Sequence, residues 1–275
     1  MNIGHIPICI PSYRRSLTSK TLNLLRRNRI FEDVFVFVRE EELNSYLSNF
    51  GEFTYVPIAG VKGLAGTRQI IFDFCKERYE YYIDMDDDIT SVQYRPDYSS
   101  TVIKRDVARA IALMKEEIRY FFTTYKETAL IGAIRQHFQN TKEGRFYLNC
   151  GSTPRQMYGV NVRLLADCGI KRNAAFDLSG DDIGFVAECA MKQLDFANAL
   201  SVCYEFEDDK KNSVVRNASN WRIKHEIQSS LLESYGLLDV FRKTRPRKAG
   251  DPVFFDIDYQ KYTRRFNRPS MKIDA

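Results

Sequence analysis

Between Tyr81 and Thr90 the chain reads YYIDMDDDIT, with aspartates at 84, 86, 87 and 88 directly behind an apolar run. Carboxylates crowded together repel one another and raise each other's pKa unless positive charge neutralises them. A hard divalent cation with oxygen ligands would do so and would keep open positions for the oxygens of a diphosphate. Asp84 and Asp86 share one face by the two-residue period of a strand. The competing account is an exposed acidic turn, or acids paired with nearby arginines. The apolar approach argues against exposure. Two registers fit DMDDD, Asp84-x-Asp86 and Asp86-x-Asp88; the first is favoured because Ile83 ends the apolar run.

Something must hold those acids in place, and the preceding residues describe it. IPICI reads as a short buried strand stopped by Pro11, TSKTLNLLRRN as a helix, and DVFVFVREEE as a second strand. EELNSYLSNF is helical, FTYVPIAG extended, and VKGLAGTRQIIFDFCKERYE a helix with Thr67 as its expected N-cap. YYIDM is then the fourth strand. Such alternation predicts an α/β layer with a parallel sheet, where ligands bind beyond the carboxyl ends of the strands. Downstream, RDVARAIALMKEEIRYFF has the stripe Val107, Ile111, Met114, Ile118 and Phe121 of a core-facing helix. TALIGAI is a strand, and RFYLNCGSTPRQMYGVNVRLLADCGI supplies two more around a polar loop. IGFVAECAMKQ is helical, ANALSVCYEFE a late strand, DDKKNSV a charged loop, and NWRIKHEIQSSLLESYG a closing helix.

An apolar strand ending in Asp-x-Asp, downstream of IPSYRR and upstream of SGDDIGFVAECAMKQ, resembles the nucleotide-sugar-dependent glycosyltransferases of the GT-A fold. The resemblance spans roughly residues 6–205. It implies a single GT-A-like α/β domain, with a mixed, mostly parallel sheet flanked by helices, over residues 1–241. It also implies that Asp84 and Asp86 hold Mn²⁺ or Mg²⁺ on the diphosphate of a UDP-sugar, with His225 as a further ligand. Pro11, Ser12, Tyr13, Arg14, Arg68 and Asp84 would then meet the donor. Asp182, with Asp181 beside it, is similar to the acid that serves as catalytic base in inverting members. In a retaining enzyme Asp182 would instead position the acceptor.

Net charge is +5, but residues 242–275 alone hold ten Lys/Arg and four Asp, which leaves the rest of the chain at −1. This basic C-terminal extension, RKTRPRK and then KYTRRFNRPSMK, reads either as a solvated tail or as a contact to a polyanion. In the second case Arg264 and Arg265 meet phosphates while Tyr262 and Phe266 stack on bases. IPSYRR, YYIDMDDDI, GDDIGF and the basic end together are similar to the phage DNA-modifying glycosyltransferases, including the TET-associated type. Those place a sugar on 5-hydroxymethylpyrimidine. The implied acceptor is double-stranded DNA carrying 5-hydroxymethylcytosine or its glycosylated form, with Arg155 and Tyr158 in CGSTPRQMYG as the acceptor loop. A glycan-directed GT-A enzyme, a metal-dependent nucleotidyltransferase or nuclease, and a non-catalytic nucleic-acid-binding protein are the alternatives. Six scattered cysteines without a CxxC pair fit a reducing compartment. No apolar run approaches the roughly 18 residues of a membrane span, and no N-terminal leader pattern is present. The expectation is a cytoplasmic protein (the host's cytoplasm if phage-encoded) without an obligate protein partner.

Overall fold

A computed structural model describes residues 4–61, 63–96, 102–136, 144–176, 181–207, 221–243 and 255–274. The DDKKNSV loop, and the RPRK part of the basic run, lie outside the described residues.

The first half alternates as the sequence predicts: β1 (Ile8–Pro11), α1 (Lys20–Arg27), β2 (Val34–Arg39), α2 (Leu43–Phe50), β3 (Thr54–Ile58), α3 (Leu64–Lys76) and β4 (Tyr81–Met85). Next come β5 (Ile89–Tyr94), α4 (Val107–Thr124), β6 (Thr128–Arg135), β7 (Phe146–Leu148), β8 (Met157–Asn161) and α5 (Val162–Asp167). The chain continues through α6 (Asp181–Met191), β9 (Asp195–Phe206), α7 (Trp221–Ser234), β10 (Phe241–Lys243), β11 (Phe255–Ile257), α8 (Tyr259–Phe266) and β12 (Met271–Ile273). Among the described residues ten strands form one sheet in the order β12-β7-β9-β6-β8-β4-β1-β2-β3, with β5 added on β9. Its pairings make β1, β2, β3, β4, β6, β9 and β12 point one way and β5, β7 and β8 the other. This is the mixed, mostly co-directional sheet flanked by helices that the sequence implied.

The pleat sorts side chains into two cores. Ile8, Ile10, Val34, Val36, Val38, Ile83 and Met85 pack on one face with α4 residues such as Met114, Ile118 and Phe121. Cys9, Phe37 and Tyr82 point to the other face, with Ile71 and Cys75 of α3 and Phe185 of α6. Strands covered on both faces read as unbroken apolar runs, which is why β1 and β2 were legible, whereas β3 is the partly exposed edge strand. The α4 layer lies directly on the sheet: a Cβ built on Gly159 of β8 would meet Ile118 Cγ1 at 2.5 Å and Ile131 Cγ2 at 2.9 Å.

Three local expectations change. α3 begins at Leu64 with Gly63 (φ 100°) as its N-cap. Thr67 sits inside the first turn and donates back to Gly63 O at 3.1 Å. β5 escaped notice because its partner, β9, lies more than a hundred residues away. The C-terminal segment is no appendage. Phe255, Ile257, Tyr259 and Tyr262 are buried, and β12 pairs antiparallel with β7. Arg268 bridges Asp195 and Glu127 at 2.5 and 2.6 Å. Among the described residues no helix is long and apolar enough to cross a membrane.

Candidate active site

β4 runs out at the carboxyl edge of the sheet, and its alternation sends Ile83 and Met85 to the α4 side and Asp84 to the α3–α6 side. A carboxylate there must find partners, because an unpaired buried charge is prohibitively costly. Arg68, one turn into α3 and 1% exposed, provides them. Its Nε donates to Asp84 Oδ1 at 3.1 Å. Its Nη1 donates to Asp181 Oδ2 at 2.7 Å and to Asp182 Oδ1 at 2.9 Å, and its Nη2 donates to Asp86 Oδ1. The two acid pairs, remote in sequence, therefore meet on one guanidinium. Asp181 and Asp182 open α6, where the helix N-terminus favours negative charge.

A second buried arginine completes the cluster. Arg172 Nη2 donates to Tyr158 OH at 2.8 Å and to Asp84 Oδ2 at 3.3 Å, and its Nη1 donates to Asp181 Oδ2 at 3.3 Å. Its guanidinium lies 3.7 Å from the centre of the Phe185 ring. Part of the positive charge missing near the acids is thus supplied by the chain. Asp84, Asp86, Asp181 and Asp182 against Arg68 and Arg172 still leave a net −2. The two acids nearer solvent carry the consequence. Burial, then Asp181, pushes the Asp182 carboxyl up to about 6 despite Arg68. Burial also raises Asp86 well above the carboxylate range; Arg68 opposes this, while Asp88, Asp182 and Asp84 add to it.

The implied metal can be tested on this donor set. Among the described residues no three His, Cys, Asp or Glu side chains are grouped to hold an ion. Asp84 is fully buried with both oxygens taken by guanidinium groups, so it is corrected from metal ligand to internal counter-ion. His225 is corrected as well: its ring stacks on Phe255 (4.9 Å, 6°) and shares no hydrogen bond with the acids. Asp86 and Asp182 remain, 22% and 20% exposed, each with one oxygen on Arg68. Magnesium-like ions are commonly held by one or two carboxylates together with substrate phosphates rather than by a full protein cage. Asp86 fits that mode. The register is corrected accordingly. β4 continues through the fully buried Met85, so the acids that reach the rim begin at Asp86, one pleat later than the end of the apolar run suggested.

The remaining expected residues divide. At the carboxyl end of β1, Pro11 pairs with Phe37 of β2. Ser12 Oγ donates to Asp87 Oδ2 at 2.7 Å and lies 2.8 Å from Tyr46 OH. Arg15 also pairs with Asp87, which ties the β1–α1 turn to the acidic turn. The half-buried Tyr13 ring is flanked by the guanidinium groups of Arg39 at 4.1 Å and Arg14 at 4.8 Å, and Arg14 takes a left-handed φ of 55°. Arg155 belongs at the site's edge: Nη2 donates to Phe255 O at 2.8 Å, and its charge acts on Asp182. Tyr158 does not belong to an acceptor loop; it is 1% exposed on β8 and bonded to Arg172. Arg265 is committed to Gly236 O (2.6 Å) and Asp239 (2.5 Å), whereas Arg264 is exposed. Tyr262 cannot stack on a base, being fully buried with its hydroxyl donating to Leu194 O at 2.6 Å.

Sequence reasoning missed Arg172, Asp87 and Tyr204. Arg172 stands in CGIKRNAAF, which reads as an ordinary surface turn, and no local pattern betrays its burial. Tyr204 Oη donates to Gln156 Oε1 at 2.8 Å, and the Asp86 amide donates to Gln156 O at 2.7 Å, so β9 is coupled to the acidic turn.

No protein-family model matches the sequence, and no curated protein does. Among solved structures, the chain is similar to mannose-1-phosphate geranyltransferase from Thermus thermophilus (10% identity, TM-score 0.43, 82% of this chain and 80% of that one). It is also similar to S. aureus TarS residues 1–349 in complex with UDP (10% identity, TM-score 0.45, 83% and 72%). A third is a CMP:2-keto-3-deoxy-manno-octonic acid synthetase complexed with CTP (9% identity, TM-score 0.44, 82% and 99%).

Proposed function

We propose that this chain is a nucleotide-sugar-dependent glycosyltransferase of GT-A type whose centre is the Asp86–Arg68–Asp182 arrangement. One observation carries the reading: two partly exposed carboxylates from separate segments converge on a buried guanidinium at the carboxyl edge of the sheet, where burial and Asp181 push one of them, Asp182, up to about 6. A carboxyl near that value can both take up and give back a proton close to neutral pH.

In this reading the donor lies across the ends of β1 and β4. Ser12 and the cation-flanked Tyr13 ring receive the nucleoside, a UDP group. Asp86 would hold Mn²⁺ or Mg²⁺, which when bound supplies Lewis-acid neutralisation of the diphosphate. The acceptor hydroxyl oxygen bonds to the anomeric carbon as the bond from that carbon to the diphosphate oxygen breaks, and the hydroxyl proton goes to Asp182. Configuration inverts. Arg68 holds Asp86 and Asp182 in register while Arg172 holds Asp84 and Asp181 behind them. Arg155 contributes positive charge beside Asp182.

The acceptor in this proposal is double-stranded DNA with 5-hydroxymethylcytosine, bare or already glycosylated. Support comes from the basic end of the chain, where Arg242, Lys243, Lys261 and Arg264 are exposed. A base in a duplex would have to be extruded to reach the acids. Incubating the protein with hydroxymethylated and plain duplexes, a panel of UDP-sugars and Mn²⁺ should yield a mass gain of one sugar on the hydroxymethylated strand alone. No gain with any donor removes the DNA acceptor. Sugar transferred to a glycan instead keeps the donor site and changes the acceptor, and DNA cut or extended without a sugar donor makes the protein a nuclease or nucleotidyltransferase.

A further inference from the structure

A second concavity opens on the same edge of the sheet. Its volume is about 260 Å³, and Thr90, Arg135, Gln136, Tyr204, Glu205 and Phe206 line it. It exists because β9 changes partners. The β6–β9 register jumps from Ala133↔Ala199 to Ile134↔Cys203, and β5 pairs with β9 from Val202 to Phe206. Tyr204 stands between this concavity and the acids. Its hydroxyl donates to Gln156 Oε1 and, at 3.3 Å, to Arg155 O. Burial holds its phenol above the ordinary value, and Asp86 and Asp182 act in the same direction.

We propose that this concavity is an acceptor subsite for one neutral sugar ring, so that the preferred acceptor already carries a monosaccharide. The proposal rests on the glycosyltransferase reading above and goes further by choosing between bare and glycosylated acceptors. Size is the first reason: the space is below the roughly 300–1,000 Å³ of sites for drug-sized ligands, enough for a single ring. Charge is the second. A carboxylate (Glu205) and a guanidinium (Arg135) share the lining, so the site does not favour an anion such as phosphate. The Gln136 amide donates to Glu205 Oε1 at 2.7 Å, so this pair and the Thr90 hydroxyl put donors and acceptors side by side, which suits a ring bearing several hydroxyls. Stacking is the third. The Arg135 guanidinium already lies over Phe206, 4.2 Å from the ring centre, so a nucleobase would have to displace it, whereas hydroxyl groups can be met at its edge.

Saturation-transfer NMR on the full chain, with methyl glucosides and methyl galactosides as probes and 5-hydroxymethyl-2′-deoxycytidine as the rival, tests this. At least one glycoside should bind. Glu205→Gln, at an exposed position, should weaken that binding by about tenfold, the size expected for losing a hydrogen bond to a charged group, and Phe206→Ala, which removes the ring that seats Arg135, should weaken it as well. UDP affinity by calorimetry should stay unchanged in both variants. Glycoside binding that neither variant alters would overturn the subsite, as would binding of the hydroxymethyl nucleoside in place of glycosides, or no glycoside binding at all. If the wild type fails to bind UDP, the donor reading fails instead, whatever the glycosides do.

Discussion

Asp182 takes a hydrogen bond from Arg68, lies at the first turn of α6, and has its carboxyl raised to about 6. If it accepts the proton of the attacking hydroxyl, kcat must rise with pH through about 6 and level off above it. Asp182→Asn should lower kcat by roughly 10²–10⁴-fold, the usual worth of a general base, abolish that acidic limb and leave UDP affinity intact. Lost UDP affinity with an unchanged pH profile would make Asp182 a donor ligand instead. The same shift has a cost in stability. A carboxyl whose folded value exceeds its unfolded one near 4 binds protons on folding, so its contribution declines as pH rises from about 4 to about 6. Arg68 acts in the other direction. Arg68→Met leaves four acids sharing one remaining guanidinium, and breaking a buried ion pair on one side costs about 3–5 kcal/mol. Thermal melts should show a large loss at pH 8 that shrinks toward pH 5, as the acids take up protons. A loss independent of pH would mean that Arg68 matters for packing alone.

Among the elements, α4 and β8 make the closest approach. Gly159 has no space for a methyl group against Ile118 and Ile131, and both are fully buried in the sheet–helix layer. Gly159→Ala should destabilise by about 1–3 kcal/mol through overpacking, seen as a fall in Tm of several degrees. Ile118→Val in the same chain should recover part of it, since it removes a methyl at the clash. No recovery would place the strain elsewhere. β8 also carries Tyr158, whose hydroxyl holds Arg172, so a shifted β8 should lower turnover as well as Tm. The amphipathic α8 shows how an element can be hidden by charge. Tyr259 and Tyr262 lie three residues apart and both are buried, while Lys261, Arg264 and Arg265 face outward. Its composition is dominated by cations, while the tyrosine spacing is the signal of a docked helix.

Across the full chain, removing the C-terminal residues is a poor probe of polyanion contact. A truncation after Asn267 deletes Arg268 and β12, and with them the ion pairs to Asp195 and Glu127. It should therefore unfold at lower temperature whatever it binds. Arg264→Glu is the cleaner variant: it should weaken DNA binding and reduce the salt slope by about 1 with Tm unchanged. An unaltered slope would assign the basic end to solubility. The alternation of strands and helices was readable in order because its signals are local, with doubly covered strands appearing as continuous apolar runs and helices as stripes. Residue types alone also required that the carboxylates crowded behind the fourth strand find positive charge. Which charge they found was beyond local reading. Arg68 meets Asp181 and Asp182 across more than a hundred residues, Arg172 comes from a turn with no distinguishing pattern, and the pleat buries Asp84 while bringing Asp86 to the rim. Those outcomes depend on how layers stack and where strands end, and burial, which sets the cost of an unpaired charge, exists only once the chain has folded.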